Sequence, residues 1–582
     1  MMKFHFMLLA IGISLSACTH QKVSSGPSLA IAPQKTTQQK VNAQHNIDEM
    51  IARRSNASLY LSAQRAMQDG EYELAIRFLA TLTTRTSAAE PKLHLAELWL
   101  TLRQPRRAFE ITLPLIEQEQ TLDISFDDRR NLHFLYARAA ALSGESALAE
   151  RELHQLLAEE PAWENARLLQ IQLYMQQQEW QLALKAIDAG LKSLPSPDFY
   201  RHQAMIYQHL GQLKKTITSL QHMQQLMPND PLPVLLQSQL YLSQQNMADA
   251  EQILRDYLTE YPDALTVYNA LGQILVQSNR LPEAIEIYQL LLVKSGSQAE
   301  VHSALGLIYF QTRQFSEAEQ QFRQALAQKD NDEYRYYLGA SLESLQKLQQ
   351  AKKEYLAIAT TSIHWIDANL RLSSIAFLNK DFSQASAYLK NILTKQPNHA
   401  DAWVMLSSIY LTQEKYRELI DETKAITELK HIPSRLTINR AMAFEKLKNY
   451  EQLDNTLKKL IEAEPNNSEA LNFLGYSFAE RGVYLDEAKT YIERALTIKP
   501  NDGYYLDSLA WVYYRSGQFK LAEETQRQAL QYLSDDPVMT EHLGDMLWEQ
   551  QRYDEAREVW QQAIKLGHES KSSLRKKIGR KP

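Results

Sequence analysis

Small residues recur along this chain with a period close to 34 residues, and bulky apolar side chains surround them at helical spacing. One series consists of Ala75, Ala108, Ala149, Ala183, Thr216, Ala250, Ala284, Ala318, Ala351, Ala385, Leu419, Leu453, Ala488, Ala522 and Ala556. A second series, about twelve residues earlier, consists of Ala63, Ala96, Ala137, Ile171, Ala204, Ser238, Gly272, Gly306, Gly339, Ser373, Ser407, Ala441, Gly475, Ala510 and Gly544. Two small residues in most repeats indicate two helices that approach each other closely.

The repeats end in a way that is typical of helices. Proline, which lacks a backbone N–H and ends a helix, closes many of them, at Pro161, Pro195, Pro228, Pro262, Pro397, Pro465 and Pro500. Long runs of Leu, Ala, Gln, Glu and Lys also favour helix. One helix pair cannot bury its own apolar faces, so neighbouring pairs are expected to stack into a continuous core. The pattern predicts an all-α chain of stacked helix pairs.

This repeat resembles the tetratricopeptide repeat (TPR), most clearly at residues 265–298, 299–332, 468–501 and 503–536. The resemblance extends over about residues 56–567, and copies at 56–89, 89–122, Leu419 and Leu453 are weaker. It implies an α-solenoid, a right-handed superhelix of about 14–15 helix-turn-helix repeats with a concave groove. Helix pairs of this kind bind other proteins through the groove, so the expected partners are proteins.

Two segments depart from the period. The step from Ala108 to Ala149 is longer than the others and predicts a loop insertion over residues 119–130. The tail, 568–582, carries six basic residues and no acid from Lys571 to Lys581. We expect a polar capping helix there, since the end of a solenoid needs a soluble face. Contact of the basic run with phosphate-bearing lipid is the alternative.

The N-terminus has the features of an export signal. Lys3 precedes a mostly apolar stretch that is too short to span a bilayer as a helix. It ends in residues 15–18, Leu-Ser-Ala-Cys, which resemble the lipobox of bacterial lipoproteins. The resemblance implies a signal peptide over 1–17 and lipid chains on Cys18, the only cysteine. Thr19, where an aspartate often retains lipoproteins at the inner membrane, implies a periplasm-facing lipoprotein of the outer membrane. A chance cysteine after an ordinary signal sequence is the alternative.

The remaining segments complete the expected organisation. Residues 18–45 are rich in Ser, Thr, Gln, Pro and Lys and are predicted to be a lipidated, flexible tether. The TPR superhelix is expected over residues 46–567, and no later segment is apolar enough to predict a second membrane anchor.

Composition and motifs exclude several classes of function. The net charge of -6 disfavours a nucleic-acid-binding protein, which would be basic. A single cysteine cannot form an intramolecular disulfide or supply a cysteine-based zinc site. The sequence has no HExxH, GxSxG, Walker A or GxGxxG motif. We therefore expect no enzymatic activity, no metal site and no cofactor other than the lipid on Cys18.

Candidate binding residues come from the TPR register, in which positions 2, 5, 9, 12 and 13 of the first helix line the groove. Transferred to this chain, the register gives Tyr476, Tyr504, Trp511, Tyr514, Arg515 and Trp548 in the last three repeats. Asn269 and Gln273 take such positions in the middle of the array. Aromatic rings among polar groups are typical of binding hot spots. The alternative is that several of these rings fill the core between repeats.

Residues 470–524 look like the C-terminal repeats of a narrower group, the outer-membrane TPR lipoproteins that serve a periplasmic carboxyl-terminal processing protease as adaptors. The resemblance implies a scaffold that brings the protease together with substrates such as peptidoglycan hydrolases and so limits cleavage of the cell wall. A TPR lipoprotein scaffold of an exopolysaccharide-export or secretion/pilus assembly complex is the alternative.

Overall fold

The computed structural model describes residues 50–424, 426 and 432–581, and these residues contain helices and turns but no strand. The chain divides into two compact units, one ending at Ile253 and the other beginning at Leu254. The prediction of an all-α TPR solenoid is confirmed. The predicted signal peptide, Cys18 and the predicted tether over 18–45 lie outside the described residues.

Six helix pairs lie in the described part of the first unit: α1 (Asn56–Gln68) and α2 (Tyr72–Thr83), α3 (Glu90–Thr101) and α4 (Pro105–Glu117), α5 (Phe126–Ser143) and α6 (Ser146–Glu159), α7 (Glu164–Gln176) and α8 (Trp180–Ser193), α9 (Pro197–His209) and α10 (Leu213–Leu226), α11 (Leu232–Ser243) and α12 (Met247–Glu260). The boundary between the two units falls within α12.

The second unit contains nine further pairs and one final helix: α13 (Leu265–Gln277) and α14 (Leu281–Ser295), α15 (Ala299–Gln311) and α16 (Phe315–Gln328), α17 (Asp332–Ser344) and α18 (Leu348–Leu356), α19 (Trp365–Leu378) and α20 (Phe382–Lys395), α21 (Ala400–Thr412) and α22 (Tyr416–Thr423), α23 (Ser434–Lys446) and α24 (Tyr450–Ala463), α25 (Ser468–Arg481) and α26 (Leu485–Ile498), α27 (Gly503–Arg515) and α28 (Phe519–Tyr532), α29 (Pro537–Glu549) and α30 (Tyr553–Lys565), then α31 (Lys571–Ile578).

The small residues of the first helices lie against large side chains of the second helices. A Cβ atom added at Gly306 would lie 2.8 Å from the ring of Phe322, and one added at Gly339 would lie 2.6 Å from the ring of Tyr355. Both rings are buried. A larger residue at either glycine would overpack the contact, at a cost of about 1–3 kcal/mol. The sequence period therefore marks the positions where the two helices of a repeat touch.

The predicted loop insertion over 119–130 is wrong in its second half. Residues Glu119–Thr121 form a short 3₁₀ turn, and α5 already begins at Phe126. Ser125 caps this helix, because its hydroxyl accepts the backbone N–H of Asp128 at 3.0 Å. The extra residues thus extend a helix at its N-terminus. The sequence analysis assigned these residues to a loop because it assumed that the helices of every repeat have the same length.

Candidate protein-binding face of the C-terminal repeats

The first helices of the last three repeats begin at carboxylate or amide caps, which set their register. Asn467 accepts the backbone N–H of Ala470 at 3.0 Å before α25. Asp502 caps α27, and Asp536 caps α29 through two backbone N–H groups at 2.9 Å. Such caps satisfy N–H groups that the helix itself leaves without partners. Because each helix starts at the same point of its repeat, equivalent side chains of α25, α27 and α29 share one face.

Trp511 lies at the centre of this face and contacts all three first helices. Its ring stacks on Tyr514 with centroids 4.8 Å apart and on His542 of α29 at 4.3 Å. Its indole N–H donates to Oε2 of Glu480, at the end of α25, at 2.8 Å. The ring is half-buried, so part of it stays open to solvent. A ring held in this way loses little freedom when it binds a partner.

Beneath Trp511, a buried ion pair fixes the position of His542. Its Nδ1 lies 2.8 Å from Oδ1 of Asp507, and the Gln526 amide donates to the same oxygen at 2.7 Å. Burial alone would lower the pKa of His542, but the charge and hydrogen bond of Asp507 outweigh it, so the pKa is raised. The imidazole stacked under Trp511 is therefore held in place by its bond to Asp507.

The other predicted groove residues beside Trp511 differ in exposure. Tyr504 is 59% exposed, whereas Tyr476 is half-buried, and burial raises the pKa of its phenol. Burial also raises the pKa of Tyr514 to about 12, with a further contribution from Asp545. Both phenols therefore keep their protons at neutral pH and can donate hydrogen bonds to a ligand. Of these rings, Trp511 and Tyr514 are in contact, and Tyr504 lies two turns before Trp511 on the same helix.

Arg515 ends the row on α27. Its side chain is exposed, and its Nη1 donates to the backbone oxygen of Glu480 at 2.6 Å. The guanidinium thus ties the C-terminal end of α27 to that of α25.

Trp548 does not belong to the open part of the face. Only 8% of it is exposed, and its ring lies 5.3 Å from Trp560 and 4.6 Å from Tyr553. The guanidinium groups of Arg557 and Arg580 each lie 5.6 Å from its centroid. Its neighbours on α30 and in the tail cover it, so for this residue the packing alternative holds. The register could not predict this burial, because it describes positions within a repeat and not the tail that follows the last one.

Asn269 and Gln273 lie four residues apart on α13, and both side chains are exposed. Neither makes a hydrogen bond with another residue of the part of the chain that the structure describes. Their neighbour Tyr268 is buried, so this stretch of the face is polar and has no aromatic surface. It offers amide donors and acceptors to an extended peptide.

The structure also groups aromatic side chains that the sequence analysis missed. Tyr336 of α17 stacks on His364 with centroids 5.1 Å apart, and Tyr337 lies 5.8 Å from Phe310 of α15. Tyr336 occupies the fifth position of its first helix and Phe310 the twelfth, which are groove positions. Applying the register to every repeat would have found them.

No group of three or more His, Cys, Asp or Glu residues among the described residues is placed to hold a metal ion. None of the described helices is both long and apolar enough to cross a membrane.

Known proteins share the repeats. Family models of the tetratricopeptide repeat match residues 241–308, 299–332, 438–503 and 508–570. A TPR repeat-containing protein of Pseudomonas aeruginosa is 31% identical over 217 residues, which are 37% of this chain and 36% of that protein. A human protein O-mannosyl-transferase is 23% identical over 269 residues, 42% of this chain and 29% of that protein. The chain therefore spans less than half the length of either relative.

A solved structure, the C-terminal part of a TPR repeat-containing protein from Cytophaga hutchinsonii, is similar at 17% identity and a TM-score of 0.37. The matched region is 41% of this chain and 98% of the solved chain. TPR arrays are scaffolds for contacts with other proteins. Tetratricopeptide repeats are therefore matched over residues 241–332, 438–503 and 508–570 of this chain, and repeats of this kind indicate a scaffold that binds other proteins.

Proposed function

We propose that this protein is a lipid-anchored adaptor in the envelope of a Gram-negative bacterium. It holds a periplasmic carboxyl-terminal processing protease and presents substrates to it, among them hydrolases that cut peptidoglycan. The observation that carries the proposal is the aromatic face formed by Tyr476, Tyr504, Trp511 and Tyr514, which lies within the stretch that resembles such adaptors.

The face has the properties of a protein-binding hot spot. Its central ring, Trp511, is held by stacking and by one hydrogen bond, while Tyr504 projects into solvent. Hot spots are enriched in Trp, Tyr and Arg and are surrounded by groups that exclude water on binding. Arg515 supplies the third of these residue types at the edge of the face.

An adaptor needs two surfaces, and the second unit offers two of different chemistry. The aromatic face suits a folded partner with an apolar patch, because its affinity comes from burying rings. The polar stretch at Asn269 and Gln273 suits an extended segment, because amide side chains pair with a peptide backbone. We assign the protease to the aromatic face and substrate segments to the polar stretch.

The mechanism is confinement. Lipid on Cys18 holds the scaffold at the membrane, and the tether lets it reach its partners. Binding both partners to one chain converts their encounter into an intramolecular event, with an effective concentration set by the spacing of the two surfaces. No chemical step is required of the scaffold itself.

Capture from intact cells tests the proposal. The tagged parent, a Cys18→Ser variant and a Tyr504→Ala variant are cross-linked in cells and purified, and their partners are identified by mass spectrometry. We expect the parent to capture a processing protease together with cell-wall hydrolases, and Tyr504→Ala to lose the protease selectively. Cys18→Ser should release the protein from the membrane fraction.

Tyr532 provides the matched control. It is 50% exposed but lies on α28, the second helix of the same repeat. Tyr532→Ala should capture the same proteins as the parent. Recovery of secretion or polysaccharide-export components without a protease would contradict the adaptor and support an assembly scaffold.

A further inference from the structure

The charge of residues 571–581 contrasts with that of the rest of the chain. The chain as a whole has a net charge of -6, yet Lys571, Arg575, Lys576, Lys577, Arg580 and Lys581 follow one another without an acid between them. Five of these six side chains are exposed. The structure shows how the helix that carries most of them, α31, is attached to the last repeat.

The inner side of α31 is fixed by one apolar and one ionic contact. Leu574 is fully buried against the last repeat. The Lys577 ammonium group lies 2.8 Å from Oε1 of Glu541 and 2.6 Å from both carboxylate oxygens of Asp545. This one cation is therefore neutralised by the repeat beneath it.

The end of the helix is held from the neighbouring second helix. Arg557 of α30 donates to the backbone oxygens of Ile578 at 3.3 Å and of Arg580 at 3.1 Å. With these contacts, α31 keeps one orientation relative to α29 and α30. Its outer side is consequently a defined surface.

The outer side presents only positive charge. Leu574, Lys577 and Ile578 recur at the spacing of one helix face and point inward, which leaves Arg575 and Lys576 on the opposite side. Lys571 and Lys581 flank them and are also exposed. None of these four cations forms an ion pair with another described residue.

A helix that only caps the array would not need a single sign of charge. The exposed side of α28 mixes Lys520 and Arg527 with Glu524, as solvated helix faces commonly do. The basic outer face of α31 therefore goes beyond the solubility that a capping helix requires. It indicates a partner that carries several negative charges.

The remaining chemistry indicates the kind of partner. No large apolar side chain is exposed on α31, so the face can approach a charged surface but has nothing to insert into a bilayer or a groove. We infer that the outer face of α31 binds the phosphate-bearing headgroups of an anionic phospholipid surface. The inference rests on the proposed function in one respect: lipid on Cys18 would hold the chain beside such a surface.

Vesicle binding without the lipid anchor tests this site independently of the adaptor role. The unlipidated mature chain, residues 19–582, is mixed with vesicles containing about 30% phosphatidylglycerol or with neutral phosphatidylcholine vesicles at low salt. The test variant carries Lys571→Gln, Arg575→Gln, Lys576→Gln and Lys581→Gln. The matched control carries Lys446→Gln, Lys448→Gln, Lys459→Gln and Lys520→Gln, which removes the same charge from exposed positions of the same unit.

We expect the parent to bind anionic vesicles and not neutral ones, and the tail variant to lose at least about 30-fold in partitioning. The control should change less than about threefold, and binding should weaken steeply with added salt. Circular dichroism of both variants verifies that they are folded. Equal partitioning of parent and tail variant, equal loss in the control, or binding to a soluble polyanion such as polyphosphate but not to vesicles would overturn the inference. Because no protease is present, the result is separate from that of the capture experiment.

Discussion

Two stretches of the second unit occupy equivalent groove positions and differ in almost every physical property. At α27, Trp511 is stacked on both sides and hydrogen-bonded, and a buried Asp507–His542 pair supports it. At α13, Asn269 and Gln273 stand exposed without hydrogen bonds to described neighbours. The same backbone register thus supports a preorganised aromatic surface in one place and an adaptable polar surface in another. The difference lies in the side chains that the next repeat provides beneath the face.

The largest expected effect comes from removing the support of the aromatic face. Asp507→Ala removes the carboxylate that pairs with the buried His542 ring and the Gln526 amide, so we expect the second unit to lose about 3 kcal/mol of unfolding free energy. Urea denaturation followed by circular dichroism measures this loss. The double variant Asp507→Asn/His542→Gln, which removes both charges, should recover much of it. If Asp507→Ala costs less than about 1 kcal/mol, the ion pair does not support the face.

Binding should respond strongly to the central ring. Trp511→Ala is expected to weaken the affinity for the captured partner by about 30-fold or more, as removal of a hot-spot residue does. Isothermal titration calorimetry with the purified partner gives the affinity. Tyr532→Ala, outside the face, should stay within about twofold of the parent. Equal weakening in the two variants would show that the face has no special role.

The unfolding free energy of the protein should depend on pH through His542, which lies beneath the aromatic face. Because the pKa of His542 is raised above its unfolded value, its stabilising contribution is complete below about pH 6.5 and is lost as the pH rises through the folded pKa. The groups that face it are the carboxylates of Asp507, Glu541 and Asp545 and the amide of Gln526.

We therefore expect the unfolding free energy of the parent, measured by urea denaturation, to fall as the pH rises above this value, by at most about 1.4 kcal/mol per pH unit from this group. His542→Gln should remove that part of the slope. His133 in the first unit, whose pKa is raised by its hydrogen bond with Glu152, acts in the same direction. The difference between parent and variant is consequently the quantity to compare, and an identical slope in both would contradict the assignment to His542.

The smallest effect is expected at the polar stretch. Asn269→Ala/Gln273→Ala should change the unfolding free energy by less than about 0.5 kcal/mol, because exposed side chains without partners contribute little. The double variant should leave the aromatic-face partner bound and should reduce capture of the substrate class. Loss of both partners would mean that the two stretches are not separate binding surfaces.

The repeat architecture could be derived from the sequence because it depends on local steric rules repeated many times. The contact of Gly306 with the Phe322 ring, for example, recurs one repeat later between Gly339 and Tyr355. The register likewise placed Tyr504 and Trp511 on one face. These positions follow from backbone periodicity, which the sequence displays directly.

The rest depends on neighbours that the period does not describe. Trp548 fits the register, but Trp560 and the tail residue Arg580 cover it. The raised pKa of His542 depends on Asp507 from another repeat, 35 positions earlier. The residues from Phe126 onward form helix because Ser125 caps them, a local signal that a count of repeat lengths does not detect.

Site-specific photo-cross-linking in living cells tests the central claim, that the first-helix face of the C-terminal repeats binds a partner protein. A photoreactive phenylalanine analogue replaces Tyr504 in one strain and Tyr532, on the second helix of the same repeat, in another. We predict a discrete cross-linked protein, a processing protease, from position 504 and none from position 532. The same adduct from both positions, or an adduct from 532 alone, would contradict the claim.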